Sequence, residues 1–163
     1  MIMKLKNILS IAVMATSLVA CKHLDVPSDA QMESRLPKIY PDYTEVMVPA
    51  NICPMNFAVQ EGESETIARL TSHWGTYIYG DNQKVLIDEI EWTDMLKSAK
   101  GKEIKVEVFA KIGDKWKAYQ PFNIYVAEDS IDEYISYRAI QPSYVAYEKL
   151  SINQRNLTNF DER

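Results

Sequence analysis

Cysteine is nearly absent: only Cys21 and Cys53 occur in 163 residues. Two thiols at that separation exclude a Cys-x-x-Cys-His haem attachment and a structural zinc site of the usual cysteine-rich kind. Histidine is as scarce, with His23 and His73 alone, so no His-Glu-x-x-His pair exists to hold a catalytic metal. The five glycines stand singly at 62, 75, 80, 101 and 113, which rules out a glycine-rich phosphate cradle. No Gly-x-Ser-x-Gly turn is present to carry a nucleophilic serine. Positive charge is also short: 18 lysines and arginines face 23 acids, for a net charge of −5. Nucleic-acid binding rests on neutralising phosphates and is not expected of such a chain. With no catalytic constellation legible, the expectation is a non-enzymatic protein without a cofactor.

Long apolar runs are missing too, with one informative near-exception. After Lys4 and Lys6, residues Ile8 to Ala20 are apolar except for Ser10, Thr16 and Ser17. That run is shorter than the ~20 residues needed to span a bilayer. A basic start followed by a short apolar core fits a secretory signal peptide, residues 1–20. It ends in Leu18-Val19-Ala20-Cys21, which resembles the lipobox of bacterial lipoproteins. The resemblance implies cleavage behind Ala20 and lipidation of Cys21, whose thiolate is the side chain best suited to accept a lipid. Several acyl chains, each buried methylene worth about 0.8 kcal/mol, would hold the protein on a membrane. Lys22 beside the cysteine leans toward the outer membrane by analogy with lipoprotein sorting. Loss of the leader removes two lysines and no acid, moving the net charge to −7. Cys53 is then the one remaining thiol, so no intramolecular disulfide is expected.

Residues 21–43 have no hydrophobic period and are punctuated by Pro27, Pro37 and Pro41, the composition of a tether. From Thr44 the pattern turns to strands: 44–49, 55–60, 66–72, 75–80 and 84–88, with Gly80-Asp81-Asn82 as a turn between the last two. One helix is expected, with Asp88 as its N-cap, Glu91 as the returning acid, and a stripe of Trp92, Met95, Leu96 and Ala99 before Gly101 stops it. Ile104, Val106, Val108, Ala110 and Ile112 then alternate with Lys105, Glu107, Phe109 and Lys111, as in a half-buried antiparallel strand. Gly113-Asp114 suits a two-residue hairpin. The return strand places Trp116, Ala118, Phe122, Ile124 and Val126 at even positions, with Pro121 marking an edge or bulge. Together, residues 44–127 predict a mainly β fold, a β-sandwich of immunoglobulin or fibronectin type with one inserted short helix. Residues 128–163 read as a linker or arm without a strand partner of its own, containing either two short strands around Gln141-Pro142 or an extended segment.

The stretches "IYPDYTEVMVPANICPMNF" (39–57), "KGKEIKVEVFAKIGDKWKAYQPFNIYVAEDSIDEY" (100–134) and "YRAIQPSYVAYEKLSINQRNLTNFDE" (137–162) carry a further likeness. They resemble the N-terminal region of envelope lipoproteins that lead into a TolB-like β-propeller. Those proteins often carry a c-type haem motif soon after the segment matching "QRNLTNFDE"; this chain has none, so haem binding does not carry over. The resemblance implies a β-rich module and its linker, from a truncated product or the first piece of a split gene. On that reading Leu157 and Phe160 lack the neighbours they would pack on.

Few residues qualify as sites. His73 and Trp74, before a strand, suit a ligand contact by hydrogen bonding and stacking, against strand-end packing of the aromatic as the plainer alternative. Tyr134, Tyr137, Tyr144 and Tyr147 suit a docking edge or a sugar platform, since tyrosine joins a flat apolar face to a polar tip. Glu128, Asp129, Asp132 and Glu133 do not match a calcium loop and read as a solvated acidic segment. Trp92 and Trp116 are expected in the core. The expected function is a membrane-anchored interaction module supporting a propeller domain or envelope protein; the alternative is a glycan-binding surface lipoprotein.

Overall fold

The structure, a computed structural model, describes residues 24–61, 65–139 and 151–160. The expected leader 1–20, Cys21, Tyr144, Tyr147 and the Gln141-Pro142 pair lie outside the described residues. In chain order the elements are β1 (Gln31–Met32), β2 (Ile39–Tyr40), β3 (Val46–Val48), β4 (Phe57–Val59), β5 (Thr66–Thr71), β6 (Thr76–Asp81) and β7 (Lys84–Val85). They continue with α1 (Glu89–Ser98), β8 (Glu103–Ile112), β9 (Lys115–Ala118), β10 (Phe122–Val126), β11 (Tyr134–Ala139) and β12 (Ser151–Asn156). The described residues are thus mainly β with one short helix, as the strand pattern predicts.

The alternating run becomes β8, the spine of the larger sheet. Lys105 and Val106 pair with Thr71 and Leu70 of β5 on one side and with Asn123 and Phe122 of β10 on the other. Phe109 and Ala110 pair with Ile67 and Thr66 of β5, and with Ala118 and Lys117 of β9. Hence β9 and β10 share one edge of β8 as two halves of a single return strand. Outside them run β1, parallel to β9, and β3, parallel to β10. On the far side β6 pairs with β5. A smaller sheet of β2, β4 and β7 completes the sandwich. The turn after Gly80 is present, but it carries the chain from one sheet to the other rather than closing a hairpin.

The core lies between the sheets and under α1. Ile104, Val106, Val108 and Ala110 from β8 meet Phe57, Val59 and Val85 from the small sheet and Trp92, Met95 and Leu96 from the helix. The Asp88 carboxylate caps α1 by accepting from the Ile90 and Glu91 backbone N–H groups at 2.9 and 3.0 Å. The Glu91 carboxylate accepts from the Tyr79 hydroxyl at 2.7 Å, which fixes the helix to β6. Gly101 adopts φ 67°, the left-handed stop expected of it.

Two expectations are corrected here. The even positions of the return strand do not share a face. Ala118 stands opposite Phe109 while Phe122 stands opposite Val106, so the return strand spends one extra residue near Pro121. Such a bulge flips the side-chain alternation. Phe122, Ile124 and Val126 face the core, joined there by the odd-numbered Tyr119. Trp116 and Ala118 instead face outward, against Ile67 and Phe109.

That outer apolar patch explains the second correction. The described part of the expected tether is docked: Leu24, Val26 and Ala30 cover Ile67, Phe109 and Ala118. Beyond them β1 and β2 add strands to the two sheets. The segment lacks a period because it is a strap laid over a small patch, not a strand with two faces. Arg35 anchors it, both terminal guanidinium nitrogens donating to the Glu61 carboxylate, which also accepts from the Lys38 N–H at 2.6 Å. The Arg35 guanidinium also sits 5.0 Å from the centre of the Tyr119 ring.

Candidate functional site

The β5–β6 hairpin carries the site-forming turn. Its four-residue turn, Ser72 to Gly75, is closed by the Ser72 N–H donating to the Gly75 carbonyl at 2.9 Å. Trp74 stands on this turn with 80% of its surface exposed, so the packing alternative fails for it. His73 is exposed as well. Trp74 borders an open cleft of about 480 Å³ between the turn and the C-terminal half of α1. Tyr77 and the buried Met95 line its apolar side; Ser72, Asp94, Lys97 and Ser98 supply the polar side. His73 does not line the cleft.

The α1 residues of this cleft escaped the sequence reading. Asp94, Lys97 and Ser98 have the spacing of one helix face, but they look like an ordinary solvated surface until β6 is seen to lie beside them. The Asp94–Lys97 pair is long, 3.4 Å, and well exposed, so it holds neither side chain firmly. The Ser98 hydroxyl donates to the Met95 carbonyl at 2.8 Å, which leaves its oxygen free to accept.

Of the tyrosine series, the two described members, Tyr134 and Tyr137, do not share a surface. β11 and β12 pair as an antiparallel ribbon from Tyr134–Asn156 to Ala139–Ser151. The arm therefore does have a strand partner inside the chain, contrary to the expectation of none, and takes the alternative of two short strands rather than an extended segment. Side chains alternate across a strand, so Tyr134 and Tyr137 point to opposite faces of the ribbon. They are 46% and 48% exposed, Ile135 47% and Ile152 80%.

The ribbon is fastened at its base. The Leu157 N–H donates to the Glu133 carbonyl at 2.7 Å, and the Leu157 carbonyl accepts from the Cys53 N–H at 2.8 Å. Leu157 is half-buried rather than without neighbours, whereas Phe160 is exposed as expected. Asn51 adds a side-chain clamp, donating to the Ile131 carbonyl at 2.8 Å and accepting its N–H at 2.9 Å. Cys53 lies at this junction, where burial pushes its thiol above the usual value. A thiol so placed is a poor nucleophile.

The acidic residues Glu128, Asp129, Asp132 and Glu133 are exposed. Among the described residues no three metal-ligating side chains converge, and no helix is long and apolar enough to cross a membrane. Trp92 is fully buried and its indole N–H donates to the Ile52 carbonyl at 3.0 Å. Trp116 is half-buried on the outer face, with the Lys111 ammonium 5.9 Å from its ring centre. Comparison with known proteins finds no matching family model, no matching curated protein and no matching solved structure.

Proposed function

We propose that the chain is a non-enzymatic envelope lipoprotein, held on the outer membrane through Cys21, whose sandwich presents the β11–β12 ribbon as a docking arm. The observation that carries this reading is the ribbon itself. Its strands pair only with each other among the described residues, and its apolar side chains lie exposed on both faces. A lone two-stranded ribbon is marginal in water, and unpaired strand edges are templates for a partner. The partner proposed is a propeller domain of TolB-like type or an envelope protein of that architecture, on the strength of the sequence resemblance.

Site-specific photo-crosslinking in the native envelope tests the arm. A crosslinking residue at Ile152 should yield one discrete product, and the same residue at Lys115, on the exposed β8–β9 hairpin, should yield none. A chain crosslinked equally at both positions, or at neither, would refute the docking arm. Anchoring has its own test. Cells grown with labelled palmitate should label the native protein, and Cys21→Ser should abolish the label and release the protein from the membrane fraction. Persistent label on the variant would sink the lipoprotein assignment.

A further inference from the structure

The cleft beside Trp74 has the chemistry of a carbohydrate site, and we infer that it binds a short saccharide. The inference does not rest on the docking arm: the cleft is built from the β5–β6 turn and α1 and contains no ribbon residue. An exposed tryptophan alone is unremarkable on a protein surface. Here it stands at the rim of a concavity whose far wall is polar, on a turn closed by a backbone hydrogen bond. The closed turn fixes the backbone that carries the indole, which lowers the ordering cost of capturing a ligand.

A pyranose ring presents an apolar C–H face and a girdle of hydroxyls that both donate and accept. The Trp74 indole supplies a flat surface for the first. Asp94 offers two carboxylate oxygens to accept from neighbouring hydroxyls, Lys97 offers donors, and the Ser98 oxygen offers acceptor capacity. Because Asp94 and Lys97 bind each other weakly, turning them toward a ligand sacrifices little. The volume, about 480 Å³, falls in the range of small-molecule clefts.

A protein partner fits this site less well. Protein hot spots favour apolar, fully desolvated pockets, whereas here a carboxylate, an ammonium and two serine hydroxyls share the lining with Trp74, Tyr77 and Met95. An apolar ligand would offer these groups no hydrogen-bond partner. The tyrosines of the ribbon do not compete for the role, because their opposite facing denies a sugar a shared platform.

The test uses the full lipidated chain in a detergent without a sugar headgroup. It is titrated calorimetrically with β-1,3-, β-1,4- and α-1,4-linked gluco-oligosaccharides and with oligomers of N-acetylglucosamine. At least one should bind, and Trp74→Ala should weaken that binding about tenfold or more. Asp94→Asn should weaken it less, and Trp116→Phe should leave it unchanged. The exposure of Trp74 means that its alanine variant should fold, which an unchanged melting curve would verify. Absence of binding by every saccharide up to about 10 mM, weaker than any useful affinity, overturns the inference. Binding that Trp74→Ala leaves intact overturns it equally. A discrete protein crosslinked through position 74, with no saccharide bound, would reassign the cleft to protein recognition.

Discussion

Trp92→Ala should cost about 4–5 kcal/mol of folding stability, at the top of the range for truncating a buried aromatic. Trp92 is fully buried and joins three parts of the fold. Its ring rises from α1 into the core shared by both sheets, and its indole N–H satisfies the Ile52 carbonyl. Truncation to alanine opens a large cavity and also leaves that carbonyl without its donor. A domain of this size has about 5–15 kcal/mol in total, so the variant should sit near the edge of folding. Trp92→Phe keeps most of the ring and isolates the hydrogen bond, for a loss of about 1–2 kcal/mol. Urea unfolding followed by circular dichroism measures both. The next residue after Ile52 is Cys53, whose N–H donates to the Leu157 carbonyl at the base of the ribbon, so amide exchange at Cys53 and Leu157 should rise in Trp92→Ala. A loss under about 1.5 kcal/mol would mean that the helix is not integral to the core.

How much of this was legible beforehand depended on whether a pattern is written in neighbouring residues. The alternation in β8 from Ile104 to Ala110, the Asp88 cap, the Gly101 stop and the Gly113-Asp114 hairpin are local features that the structure realises, although Ile112 at the strand's end is exposed and Phe109 on the outer face is buried under the strap. The two-residue hairpin follows directly from Ile112 standing opposite Lys115. Most of the failures required knowing what lay across space. Pro121 announced a bulge, but only the pairing of Val106 shows that the bulge flips the face of every residue before it. That flip turned Trp116 from an expected core residue into part of an outer patch. The patch then gives meaning to residues 24–38, whose irregular composition looked like a tether because a strap contacts its surface at scattered points. The cleft was half legible: Trp74 stood out, but its helical neighbours did not, since Asp94 and Lys97 are the residues any exposed helix displays. Tyr134 and Tyr137 were legible as exposed aromatics, while a spacing of three residues in a strand could have warned that they point apart.

The strap makes the second large prediction. Glu61→Ala should cost about 2–3 kcal/mol, because one carboxylate with only 6% of its side chain exposed serves both Arg35 nitrogens and the Lys38 N–H. Its loss should loosen β1 and uncover Trp116, raising the quenching of tryptophan fluorescence by acrylamide before global unfolding. The same carboxylate carries a pH signature. The hydrogen bonds from Arg35 hold Glu61 below its ordinary value of 4.5, outweighing the burial that acts against ionisation. A carboxyl lowered on folding stabilises the native state fully above its unfolded value and loses that contribution as pH falls through the lower folded one. Stability should therefore be level near neutrality and fall below about pH 4.5. Glu33, Glu45 and Glu107 are lowered by their own partners and contribute to the same acid limb. Glu61→Gln fills the same space without the charge, so its acid limb should be shallower than that of the native chain while its stability at pH 7 is already reduced. An acid limb of unchanged steepness in Glu61→Gln would show that the strap is held by the packing of Leu24, Val26 and Ala30 and by the pairing of β1 with β9, without help from the clamp. The Arg35 clamp would then be a surface pairing of little consequence.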